Sequence, residues 1–193
     1  EERQVTVDGT TRPLQAPFMV GATQNPLEHE GTYPLPESQL DRFMTRVTLG
    51  YPARAKELEM LDAHGDHSVY EDIEPVVGAA EVVEMVQHAA TVHMAPELKG
   101  YLVDLAEATR ADPDLLLGSS PRATLYLQRA ARVRAAASGR TYVTPDDVKA
   151  LIAPTLSHRI ILRPEAQMRA ASVTEVLARI AGTVPVPGTL DAR

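Results

Sequence analysis

Hydrophobic positions follow a strand rhythm near the start of the chain and a helical rhythm through most of the rest. Residues 4–7 (QVTV) alternate in the manner of a strand, and Asp8-Gly9 is a strong tight-turn signal. The returning residues 11–14 include Pro13, which cannot donate to a ladder and places this strand at an edge. Together they predict a β-hairpin. Residues 18–22 (FMVGA) form a short apolar run that predicts a buried strand, ending in Thr23-Gln24-Asn25-Pro26. Gly31, Pro34 and Pro36 punctuate the following loop. A short helix is then expected over residues 35–43 and a further strand over 44–49.

Past Tyr51-Pro52 the texture changes to alanine, leucine, valine and glutamate at helical spacing. Helices are predicted at about 53–64, 79–90, 96–110, 120–138, 145–158 and 172–181. Thr144-Pro145-Asp146-Asp147 is a good helix start, with acidic residues in the first turn. Gly139 is placed to end the helix that Ser120 begins. The tail over 183–188 is expected to be extended. The fold class that results is mainly α. Residues 1–50 supply strand-helix-strand material too small to complete a sheet domain, and residues 51–193 form a helical domain.

Composition narrows the function classes. The 193 residues contain no cysteine, which excludes a disulfide framework and fits a reducing, cytoplasmic setting. No apolar run approaches the roughly 18 residues that cross a bilayer, and no signal peptide is visible. A formal net charge of −7 argues against a broad nucleic-acid surface. The chain opens on Glu1-Glu2-Arg3-Gln4 without an initiator methionine, and reads as a piece of something longer.

One stretch contradicts itself. In Gly118-Ser119-Ser120-Pro121-Arg122, Ser120 can cap free amides and Pro121 suits the first helical position. Arg122 then puts a cation in the turn where the helix dipole favours anions. Either the side chain reaches into solvent, or an anion such as phosphate sits between the helix terminus and the guanidinium. Asn25 follows an apolar strand, where open sheets present residues to ligands, although an Asn-Pro pair is also an ordinary turn. Arg42 lies at the end of a short helix, where it can complement the dipole or project into a neighbouring subunit. His64-Gly65-Asp66-His67 lacks a further ligand at diagnostic spacing, so these are read as solvated loop histidines and no metal site is assigned. Arg129, Arg132 and Arg134 read as a solvated or domain-contacting face.

The motifs, in order, resemble one family. VGATQNPLEHEGTYPLPESQLDRF is similar to the segment of MoxR-family AAA+ ATPases that joins sensor 1 to the arginine finger. GSSPRATLYLQRAARVRAAASGRTYVTPDDVKALIAPTLSHRI resembles their helical lid, and EERQVTVDGTTRPLQAPF the hairpin before sensor 1. The resemblance implies that residues 1–50 are the end of an AAA+ core and 51–193 the lid. It implies Asn25 as the sensor-1 residue, Arg42 as the finger acting on the adjacent protomer, and Arg122 as sensor 2 on the nucleotide phosphates. It further implies ATP and Mg2+ as cofactors, a hexameric ring of identical chains, chaperone-like remodelling, and von Willebrand A-domain proteins as partners. The hairpin around Asp8-Gly9 would face the pore.

The chain departs from the family pattern in one respect. It has no G-x-x-x-x-G-K-[ST] and no Gly-Lys pair, nor an apolar strand ending in paired acids. These 193 residues are therefore expected not to hydrolyse ATP by themselves. A stand-alone helical interaction module is the competing reading, and an upstream nucleotide cradle in the reading frame would decide against it.

Overall fold

Residues 3–24, 35–63 and 73–188 are described by the computed structural model. They begin with the expected hairpin. β1 (Gln4–Val7) pairs antiparallel with β2 (Thr10–Pro13), Val7 opposite Thr10. Asp8 and Gly9 turn the chain with φ of 49° and 75°, the left-handed pair that matches strand twist. Every strand residue is exposed.

α1 (Glu37–Leu40) and α2 (Arg54–Ala63) precede the main helical body. That body consists of α3 (Ala79–Thr91), α4 (Pro96–Ala111), α5 (Pro121–Ala137), α6 (Pro145–Leu156) and α8 (Val173–Thr183). Between them lie β3 (Leu115–Leu117), β4 (Ile161–Leu162) and the short α7 (Pro164–Met168). α5 is the central helix, packed against α3, α4 and α6. Its buried positions Ala123, Tyr126, Leu127, Ala130, Ala131 and Ala135 recur at three- and four-residue steps, so one stripe faces inward. Alanines on that stripe let neighbouring helices approach closely. Tyr101 and Leu105 of α4, Leu127, Val148 and Ile152 of α6, and Leu177 of α8 fill the centre.

The six helices predicted beyond residue 51 agree with the observed ones to within one or two residues, whereas the short helix expected over 35–43 is confined to Glu37–Leu40. Gly139, with φ of 70°, follows the end of α5, and the Glu81 carboxylate accepts the Gly78 N–H at 2.6 Å to start α3. Ser172 caps α8, accepting from the Glu175 N–H at 3.1 Å.

Two predicted strands are corrected. Residues 18–22 are not a strand, and Phe18, Met19 and Val20 are exposed. Residues 44–49 form no strand either, and Leu49 is 92% exposed. A strand exists only through a paired neighbour, and among the described residues none lies beside either segment. Conversely, β3 and β4 were not predicted. They pair antiparallel, Leu115 with Leu162, across an irregularity, and segments of two or three residues are too short to show alternation.

Candidate functional site

The start of α5 is fixed from behind by α4. The Ser119 N–H donates to Thr109 Oγ1 at 2.9 Å, and that hydroxyl donates to the Ala106 carbonyl at 2.7 Å. Arg110 Nε donates to the Ser119 carbonyl at 2.8 Å. Gly118 passes so near α4 that a Cβ there would lie 2.7 Å from Arg110 and Thr109 backbone atoms. The turn into the helix is thus clamped to the last turn of α4.

Ser120 then caps α5, its Oγ accepting the Ala123 N–H at 3.3 Å. The same hydroxyl donates to Asp41 Oδ1 at 3.2 Å, and Arg122 Nη1 donates to Asp41 Oδ2 at 3.2 Å. The anion held between this helix terminus and Arg122 is therefore the carboxylate of Asp41, which closes α1. The pair is half-exposed, with 40% of the Arg122 side chain and 26% of the Asp41 side chain accessible.

Behind Asp41 the next residues are strapped to the helical body. Tyr126 Oη, one turn along α5 from Arg122, donates to the Arg42 carbonyl at 3.3 Å. The 3₁₀ turn Ser157–Arg159 at the end of α6 brings two residues to the Phe43 carbonyl. His158 Nε2 lies 3.0 Å from it, and Arg159 Nη2 donates to it. Only 1% of the Arg159 side chain is exposed. Its guanidinium lies 4.7 Å above the Tyr126 ring and its Nη1 is 3.7 Å from Asp41 Oδ1. The Arg46 N–H donates to the Pro154 carbonyl at 2.8 Å. A cleft of about 470 Å³ opens beside this junction, lined in part by Glu37, Asp41, Arg110, Ser119 and Arg159.

Burial holds the His158 pKa below the ordinary histidine value. The Phe43 carbonyl opposes that shift, the Arg159 and Arg46 cations add to it, and Asp41 partly offsets it. Burial also lowers the Arg159 pKa, with Asp41 opposing.

Of the sequence candidates, Arg42 and Arg122 come into one neighbourhood, joined through Asp41 and Tyr126. The Arg42 side chain is exposed while its carbonyl is held. Asn25, His64 and His67 lie outside the described residues. Among the described residues no group of three histidine, aspartate or glutamate side chains is placed to hold a metal ion. Sequence reasoning missed Asp41, Tyr126 and Arg159. A signal for Asp41 did exist: it is an acid at the carboxyl end of a helix, as misplaced as Arg122 at the amino end of another. The two misfits neutralise each other.

Comparison with known proteins adds to this geometry. Residues 1–45 match the ATPase family associated with various cellular activities (AAA), and residues 107–180 match the AAA lid domain. Chaperone MoxR1 of Mycobacterium tuberculosis is 36% identical over 196 residues, covering 97% of this chain and 52% of that protein. The uncharacterized protein YeaC of Bacillus subtilis is 41% identical over 187 residues, covering 97% of this chain and 58% of its own. The chain belongs to the MoxR family of AAA+ ATPases. A solved structure from Cytophaga hutchinsonii, assigned as an ATPase, superimposes with a TM-score of 0.87 at 36% identity, over 96% of this chain and 59% of that one. The chain spans about half the length of the curated relatives it matches. Within this MoxR chain, Asp41 belongs to the segment matched as AAA and Arg122 to the segment matched as lid, so their ion pair joins the two.

Proposed function

We propose that this chain carries the sensing and finger residues of a ring-forming, chaperone-like MoxR ATPase that works in the cytoplasm. Residues 1–50 are the end of its ATPase core and residues 51–193 its lid. The observation that carries the reading is the pairing of Arg122, in the first turn of a capped helix, with an exposed-side Asp41-Arg42 step on the segment matched as AAA.

In this reading Arg122 leaves its carboxylate partner for the nucleotide phosphates and Asn25 orients the γ-phosphate side. Arg42 extends into the adjacent protomer of a hexamer, where a cation on the equatorial oxygens has its largest effect. ATP supplies the phosphoryl group, to which the residues here offer cations. Remodelling of von Willebrand A-domain partners is the output, with the exposed hairpin touching the client.

These 193 residues are expected to show no turnover, and titration calorimetry showing micromolar Mg-ATP affinity for them would overturn that part. The finger is tested in a protein that also has the nucleotide cradle. Arg42→Ala should bind nucleotide normally and lose on the order of 10³–10⁵ in rate. Mixed with a variant lacking the cradle lysine, it should recover part of the hydrolysis. No recovery, despite demonstrated co-assembly, rules out a trans-acting Arg42.

A further inference from the structure

Arg159 is an expensive residue to keep where it is. A guanidinium removed from water loses its hydration, a penalty that its donors must offset by finding partners, and an apolar side chain of similar volume would cost less. Arg159 is nevertheless almost fully buried, and its Nη1 has no hydrogen-bond acceptor within reach. Among the described residues, the groups that compensate it beyond its own helical body lie on one short segment. Nη2 binds the Phe43 carbonyl and Nη1 faces the Asp41 carboxylate at 3.7 Å. From the helical side the guanidinium rests on the Tyr126 ring, whose hydroxyl holds the carbonyl between those two residues, that of Arg42.

Three consecutive residues, 41 to 43, are thus each held by a polar group from the helical body, while the Arg42 side chain alone points out. Such an arrangement fixes the backbone and leaves one cation projecting at a set angle.

We infer that Arg159 is a positioning residue: it locks the Asp41–Phe43 backbone to the helical domain and so sets the direction in which Arg42 leaves the surface. The use of that direction by a neighbouring subunit rests on the function proposed above; the lock itself rests on the contacts alone. In consequence any displacement of the lid carries the Arg42 side chain with it. A nucleotide that draws Arg122 away from Asp41 leaves Arg159 as the charged partner of that carboxylate, so the segment stays attached in both conditions.

The lock can be read without any ATPase assay, because trypsin cleaves after Arg42. In the 193-residue chain the Arg42–Phe43 bond has both flanking carbonyls engaged, and cleavage there requires local opening. Losing one charge-assisted hydrogen bond shifts such an opening by roughly 10- to 100-fold. Arg159→Met is expected to speed cleavage after Arg42 by that factor, followed by mass spectrometry, while cleavage after Arg134 and the helical circular dichroism stay unchanged. Tyr126→Phe, which keeps the ring and deletes one donor, should give a smaller acceleration. It also serves as the readout if Arg159→Met fails to fold. Arg159→Lys should restore part of the protection. Unchanged cleavage at Arg42 in folded Arg159→Met, or in Tyr126→Phe should the former not fold, overturns the lock.

In the ATPase-competent protein, Arg159→Met should lower kcat with KM for ATP unchanged, as an Arg42 change would. Accelerated cleavage with undiminished kcat would leave the lock standing and show that hydrolysis does not depend on it, while the Arg42→Ala mixing experiment decides the finger role separately. The two failures are therefore distinguishable.

Discussion

Gly118 shows how little room the start of α5 has. A methyl group there would sit 2.7 Å from the backbone of α4, which cannot retreat without breaking its own ladder. Gly118→Ala should therefore destabilise the chain by about 1–3 kcal/mol, read as a lowered thermal midpoint. An unshifted melt would show that the turn is softer than its contacts suggest. His158 bears on the same junction through pH. Its pKa is depressed mainly by burial, so the native state binds its proton less readily than the unfolded chain. Its contribution is intact above the unfolded value near 6.5 and is lost as pH falls through the lower native value. Melting points at pH 7.5 and pH 5 should differ, and His158→Gln should narrow the difference. At this scale the sequence was half legible. Arg122 announced itself as a local conflict, but its partner stands 81 positions earlier and no local pattern reaches that far.

Helix α6 is held at its amino end by Asp147. The carboxylate is 3% exposed and accepts two bonds from Arg140 at 2.6 and 2.7 Å, together with the Thr144 N–H and hydroxyl at 2.9 Å. The Arg140 hydrogen bonds pull its pKa from 3.8 down to about 2 against the opposing effect of burial. That stabilisation, about 2 kcal/mol, is present above pH 3.8 and disappears as pH falls through about 2. Asp147→Asn should lose it already at neutral pH and should flatten the acid limb of the stability curve, which denaturant melts at several pH values would record. The acidic first turn of α6 was visible in the sequence; the arginine that meets it was not singled out. Helices α3, α5, α6 and α8, which carry their own caps, and α4, which opens on Pro96, could be read because their starts are written locally. Residues 18–22 and 44–49 were misread because apolar runs state a wish for burial and not who provides it. β3, β4 and α7 were invisible for the opposite reason, being too short to carry a period.

Across the whole molecule, the helical body and residues 41–46 share backbone and side-chain bonds, so cutting between them should be felt on both sides. A chain of residues 51–188 should still melt cooperatively, but on the order of 5 °C below residues 35–188, because Arg159 and His158 lose the Phe43 carbonyl. Equal melting points for 35–188 and 51–188 would mean that the contacts at 41–46 add nothing to stability. The hairpin at the other end of the chain has the reverse property. Its eight strand residues are all exposed, and a hydroxyl pair between Thr6 and Thr11 at 3.0 Å lies on one face. Nothing in the core leans on it. Substitutions along β1 and β2 should therefore leave the melting curve where it was, so a phenotype arising there reports on touch rather than on folding.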